Sequence, residues 1–205
     1  MFLLRISLPD RPGSLGAVAS AMGQAGADIS AVEIVQKLEG KAVDDFIVDL
    51  PHGQPDALVS ACESLDGVEV LWLGHYQPTY GLQGDVDLLN QMAADPADAA
   101  RILTMGAPAV FHADWALLLN RDTGELLAAT DLAPDILPPD VKVFGPLSTL
   151  AAGVLPEGWL HGWGETLIIH APLKGSSIIL ARRGGPEFMA SEVARLGHLA
   201  ALAGG

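Results

Sequence analysis

Asp10-Arg11-Pro12-Gly13-Ser14-Leu15-Gly16, followed by an apolar stripe and then by Gly26-Ala27-Asp28-Ile29, is the stretch on which the fold turns. It joins a first apolar strand to a first helix, and a glycine stop returns the chain directly into a second strand. Upstream, Phe2 to Leu8 alternates as a strand does and ends at Pro9. Pro12 suits a first helical turn: its fixed φ is already helical, and its missing N–H is one that the first turn leaves unbonded. Leu15, Val18, Met22 and Ala25 recur at helical spacing, and Gly26 supplies a left-handed stop. Gly16 and Ala19 are small enough for this helix to lie close on a sheet.

Working outward, Asp28 to Gln36 reads as a second strand with Ser30, Val32 and Ile34 on one side. Leu38-Glu39-Gly40-Lys41 is a hairpin turn. A third strand, Ala42 to Leu50, places Phe46, Val48 and Leu50 on one face and Asp45, Ile47 and Asp49 on the other. Pro55-Asp56 opens a second helix with Leu58, Cys62 and Leu65 as its stripe. Asp66-Gly67 ends it, and Val68 to Leu73 is the fourth strand. The order β-α-β-β-α-β closes as a ferredoxin-like sandwich, two helices over one face of a four-stranded antiparallel sheet. So small a domain buries a thin core, and its open face and edges make homodimerisation a physical expectation.

Through Asp10-Arg11-Pro12-Gly13-Ser14-Leu15, Gly26-Ala27-Asp28-Ile29 and this element order, the region Leu3 to Tyr76 resembles the ACT domain family. The resemblance implies a small regulatory module that binds an amino acid at a dimer interface. It places backbone amides of the first loop and a polar residue at the start of the second strand around the ligand. The ligand-binding set it implies is Asp10, Arg11, Gly13, Leu15 and Asp28, with Ile29 beside it. Family members often carry asparagine where this chain has Asp10 and Asp28. Asparagine can donate to a ligand carboxylate; an ionised aspartate cannot. The two aspartates therefore suit an ammonium group, leaving a ligand carboxylate to amides at the helix N-terminus. The plainer alternative is that Asp10 caps the helix and Asp28 pairs with Arg11.

Residues 78–84 are rich in turn formers and read as a linker between an ACT-like domain at 1–77 and a second domain at 85–205. In the second domain, Val86, Leu89 and Met92 form a helical stripe within Asp85 to Ala94. Asp95-Pro96 signals another helix, with Ala99, Ile102 and Leu103 inward and an end near Gly106. Asp114-Trp115 to Leu119 starts a hairpin that turns at Asn120 to Gly124 and returns over Glu125 to Thr130. Ala133 to Pro146 is irregular. Thr166 to Ala171 and Ser176 to Arg182 are two more strands, and Pro186-Glu187 opens a last helix with Met189, Val193, Leu196 and Leu199 on one side. The whole is α+β. This half resembles, loosely, a small GAF-type sensor domain, through Ala113 to Leu118, Gly124 to Ala129 and the Leu180-to-Phe188 run. A roadblock or profilin-like sandwich has a similar order of elements.

Lys plus Arg is 11 against 25 for Asp plus Glu, a net charge of −14, and acid is in excess on both sides of residue 77. Such a chain is a poor partner for phosphate backbones or anionic membranes, so neither nucleic acid nor membrane is expected. The N-terminus is too soon interrupted for a signal peptide, and no run approaches the ~20 apolar residues of a membrane span. A cytoplasmic location follows as the expectation. One cysteine, Cys62, excludes an internal disulfide and reads as buried and inert.

Trp159-Leu160-His161-Gly162-Trp163-Gly164-Glu165 could line a pocket for an aromatic or cationic ligand, or bury its indoles against the sheet as an ordinary loop. His52, His75, His112, His161, His170 and His198 lack metal-ligand spacing, so neither metal nor other cofactor is expected. The leading expectation is a non-catalytic protein sensing a small molecule, an amino acid, through an ACT dimer. Two rivals stay open: an enzyme or an enzyme's regulatory subunit with a site around His161 and Glu165, and a scaffold that dimerises without a small ligand.

Overall fold

Alternation at the N-terminus produces strand β1 (Phe2–Pro9), whose Leu4, Ile6 and Leu8 face inward and are fully buried. A computed structural model describes residues 1–50, 54–75, 83–159 and 165–204. It divides into two compact units, Met1–Pro78 and Thr79–Gly205. In the first, β1 is followed by α1 (Ser14–Gln24), β2 (Asp28–Leu38), β3 (Lys41–Asp49), α2 (Pro55–Glu63) and β4 (Glu69–His75). The sheet order is β2-β3-β1-β4 with every neighbouring pair antiparallel, the ferredoxin-like arrangement. Val18 and Met22 of α1 and Leu58 and Cys62 of α2 pack on Leu4, Ile6, Leu8, Phe46 and Val48.

Two details differ from the sequence reading. Leu15, expected on the α1 stripe, is 41% exposed; Ala21 joins Val18 and Met22 inside instead. The register of β2 against β3 slips at Ser30 and again at Val35. Ile29, Val32, Ile34 and Lys37 therefore share the helix-side face, and Ser30 drops out of it. The β2–β3 turn has left-handed backbone at both Glu39 (φ 49°) and Gly40 (φ 82°), the pair of signs that a tight hairpin turn needs.

The second unit contains α3 (Gln83–Ala94), α4 (Ala99–Val110), β5 (Trp115–Asn120), β6 (Leu126–Ala129), β7 (Ala151–Val154), β8 (Thr166–Pro172), β9 (Ser176–Arg183) and α5 (Ala190–Ala203). Its antiparallel sheet runs β6-β5-β9-β8-β7. One core joins the three helices to Ala116, Leu118, Leu167, Ile169, Ile178 and Leu180. A second, on the opposite face, packs Trp115, Leu117, Leu119, Ile168 and Ile179 against Phe144, Leu147 and Leu155 of the long β6–β8 excursion.

Here too the structure corrects the sequence reading. Gln83 and Gly84, assigned to the linker, open α3; the rest of that linker lies outside the described residues. Val86 is 55% exposed, and Leu88 takes its place beside Leu89 and Met92. Helix α4 does not stop at Gly106. That glycine admits a close approach, since a Cβ there would lie 2.7 Å from Leu88 Cδ1. The helix starts after Asp98 rather than at Asp95-Pro96, which form the preceding turn. The Pro-rich middle includes a 3-10 helix, Pro138–Phe144, and β7 was not expected at all. The last helix begins at Ala190 and not at Pro186, because Arg182 holds the intervening loop through the Pro186 carbonyl at 2.7 Å.

Candidate functional site

Pro9 ends β1 and the chain then turns outward: Asp10 N–H donates to Gly40 O at 2.8 Å, and Arg11 N–H to Pro9 O at 2.9 Å. Gly13 adopts φ 93° and serves as the N-cap of α1, a left-handed position that glycine fills without a Cβ penalty. No side chain caps this helix, so the capping role weighed for Asp10 does not occur. Asp10 instead accepts a hydrogen bond from Lys37 Nζ at 2.8 Å, which ties the loop to the end of the β2–β3 hairpin. That bond and the Asp10 charge raise the Lys37 pKa.

Arg11, Gly13 and Ser14 line a cavity of about 300 Å³ together with Pro9, Ala17, Leu65, Asp66 and Val68. Asp10, Leu15, Asp28 and Ile29 do not line it. Asp28 is opposite Asp49 at the start of β2, whereas Lys37 and Lys41, beside Asp10, are at the other end of the same ladder. Eight residue steps along β3 at ~3.3 Å each put roughly 25 Å between the two aspartates. This distance forbids the alternative pairing of Asp28 with Arg11. It also means that one copy cannot close Asp10 and Asp28 on a single small ligand.

One carboxylate escaped the sequence reading. Asp44 sits on the core-facing side of β3, in line with Ala42, Phe46 and Val48, and pairs across the sheet with Ile6 and Ile34. Burial, opposed by Lys37 and reinforced by Asp45 and Asp10, raises its pKa. The signal was present in the sequence as an acid on the apolar side of an alternating strand. Its neighbour Asp45 faces the other way and holds Arg5 by two bonds of 2.7 Å at the same register position.

In the second unit Trp159 packs edge-on against Phe144, with ring centroids 5.5 Å apart. His161 and Trp163 of the aromatic cluster, and His52, lie outside the described residues. His75 stacks on Phe2 at 4.6 Å. His170 is buried on β8, and burial, offset in part by the Thr149 backbone, lowers its pKa. Cys62 is buried, and that burial, with Glu63 adding to it, pushes its thiol up to about 11. Among the described residues no group of three or more His, Cys, Asp and Glu is placed to hold a metal ion, and no helix is long and apolar enough to cross a membrane.

A βαββαβ sandwich whose first loop turns on a left-handed glycine into a helix defines the class of small ferredoxin-like α+β domains. Residues 2–62 match the ACT domain family, so the N-terminal unit is an ACT domain. Among curated proteins none matches this sequence. Three solved structures are similar to parts of the chain. An unknown protein from Galdieria sulphuraria is 14% identical over 88% of this chain and 79% of its own, with a TM-score of 0.32. A formyltetrahydrofolate deformylase from Pseudomonas putida is 13% identical over 46% of this chain and 38% of its own, with a TM-score of 0.30. A putative glycine cleavage system transcriptional repressor is 11% identical over 95% and 87%, with a TM-score of 0.29. At these scores the likenesses support no functional inference.

Proposed function

We infer that this chain is a non-catalytic regulatory protein in which two copies of the ACT domain bind an amino acid between them. The observation that carries the reading is the separation of Asp10 from Asp28 within one copy of a matched ACT domain. A second copy laid antiparallel along the β2 edge would bring its own Asp28 to the first copy's Asp10 loop. That edge exposes Val32 and Ile34, apolar side chains that a partner strand would cover. Ligand binding then favours one dimer geometry, and the state passes onward as a population shift. The second unit, with a five-stranded sheet clad on both faces, serves in this reading as a GAF-like sensor or output module.

The test is a thermal-shift screen of the purified full chain against the proteinogenic amino acids, with wild type and Asp28→Ala in parallel and light scattering for mass. A ligand at ~100 times its Kd stabilises by about 2.7 kcal/mol. The expected result is one or a few stabilising amino acids whose effect is lost in the variant, acting on a dimer. A monomer that no amino acid stabilises would overturn the reading.

A further inference from the structure

We propose that the cavity between the β1–α1 and α2–β4 loops binds a small zwitterion within a single copy of the chain, Arg11 receiving its carboxylate and Asp66 its ammonium group. The site is separate from the one between copies and does not rest on it. Three observations carry it. The cavity measures about 300 Å³, at the small end of ligand pockets, which suits a molecule of a few heavy atoms. Its lining holds one cation, Arg11, and one carboxylate, Asp66. Among the described residues neither side chain makes an ion pair or hydrogen bond, with the other or with any third group. Opposite charges that share one space without pairing can be bridged by a ligand that carries both signs.

The space is also preformed. On one side Arg11 N–H donates to Pro9 O at 2.9 Å and Ser14 N–H to Arg11 O at 3.2 Å; on the other, Val68 N–H donates to Leu65 O at 3.2 Å. The two loops touch, since a Cβ at Gly67 would lie 3.0 Å from Pro9 Cγ. Turns closed in this way leave little ordering to be done on binding. Consecutive residues of the first loop thus serve opposite sides: Asp10 is tied to Lys37 at the hairpin end, whereas Arg11 lines the cavity. A guanidinium offers a carboxylate two parallel donors, and a carboxylate accepts from an ammonium. Ser14 adds a hydroxyl, while Pro9, Leu65 and Val68 supply apolar wall for the carbon chain between the charges. Asp66 repels a plain anion and Arg11 a plain cation, so the pair selects for a molecule bearing both. α-Amino and ω-amino acids share this chemistry and differ in how far apart their charges lie.

The test is calorimetric titration of the full-length protein with glycine, β-alanine and 4-aminobutyrate, with acetate and methylammonium as single-charge controls at matched ionic strength. The expected result is saturable binding of at least one zwitterion at one site per chain, with a Kd about tenfold or more below that of either control. Asp66→Asn and Arg11→Gln should each raise that Kd about tenfold, the loss of one charge-assisted contact, and Arg11→Lys should recover part of it. Both side chains are exposed, so none of these variants disturbs the core. Asp28→Ala should leave the Kd unchanged. Absence of saturation by all three zwitterions, controls that bind as tightly, or a Kd unmoved in Asp66→Asn would overturn the proposal. Binding lost in Asp28→Ala and kept in Asp66→Asn would uphold the reading between copies and overturn this cavity. Binding kept in Asp28→Ala and lost in Asp66→Asn would uphold the cavity and overturn the site between copies. Loss in both variants would join the two into one site and overturn binding within a single copy.

Discussion

Arg182 Nη2 donates to Glu192 Oε1 at 2.8 Å, joining β9 to the first turn of α5 with both side chains buried. The same guanidinium donates to the carbonyls of Phe111, His112 and Pro186 and lies 4.0 Å over the Phe188 ring. One planar fork therefore fixes the end of α4, the loop before α5 and the start of α5. Removing it leaves a buried carboxylate and carbonyls without their donor, so Arg182→Met should cost about 3–5 kcal/mol. Arg182→Lys should recover little, since an ammonium cannot reproduce the fork. Urea unfolding followed by tryptophan fluorescence, to which the buried Trp115 contributes, measures this. A loss under ~1 kcal/mol would show that the cluster is dispensable.

Gly13 meets no atom within 4 Å of an added Cβ, so any cost of substitution there comes from its φ of 93° alone. Gly13→Ala should destabilise the first unit by about 1–2 kcal/mol. Gly13→Asn should lose less, because asparagine visits the left-handed region more readily. Calorimetry of the three proteins gives the order. Alanine as stable as glycine would mean that the loop relaxes into another turn.

The first unit was legible because its signals are local: alternation in Phe2–Pro9, glycines at the left-handed positions 13, 26, 40 and 67, and a proline at the start of α2, although Pro12 lies ahead of the Gly13 N-cap and not in the first turn of α1. Ser30 and Val35 defeated the reading of β2, since a bulge depends on the partner strand and leaves no mark in composition. β7 was invisible for a related reason. Ala151-Ala152-Gly153-Val154 has little strand preference of its own and is held by pairing with β8. Helix α4 was misjudged at Gly106 because the cause of that glycine is Leu88 of another helix. At the site, the motif located the loop but not its partners. Lys37 reaches Asp10 across 27 residues, a contact that only the hairpin register creates.

Cys62 is fully buried, and its thiol is held at about 11. At pH 8 almost none of it is thiolate, the reactive form. The native protein should react with Ellman's reagent far more slowly than the same chain in 6 M guanidinium, and the rate should follow global opening. Stoichiometric labelling within seconds under native conditions would contradict the packing of α2 on the sheet.

His170 is neutral in the folded state, because burial places its pKa below the unfolded value of 6.5. Between those two values the unfolded chain binds more protons than the folded one. Stability is therefore fully present above pH 6.5 and is lost as pH falls through the folded pKa, at no more than about 1.4 kcal/mol per pH unit. His170→Leu should flatten this part of the profile. Urea midpoints at pH 7.5 and 5.5 for both proteins test it, and equal pH dependence in the two would assign the loss to other groups.

Asp44 behaves in the opposite sense. Burial, the largest cause, raises its folded pKa above the unfolded 3.8, so between those values the folded state holds the extra proton. Its contribution is most favourable below pH 3.8 and is lost as pH rises through the folded value. At neutral pH the desolvated carboxylate is thus a liability that Asp44→Asn removes while keeping the side chain's shape. Asp44→Asn should raise the melting temperature of the first unit by roughly 4 °C or more at pH 7, the equivalent of ~1 kcal/mol in a domain of this size. The gain should shrink as the pH falls toward 4, because the raised pKa favours the protonated native carboxyl as the pH drops. Calorimetric scans at the two pH values decide the matter. A variant less stable than wild type at pH 7 would mean that Asp44 is ionised and well partnered in the folded protein.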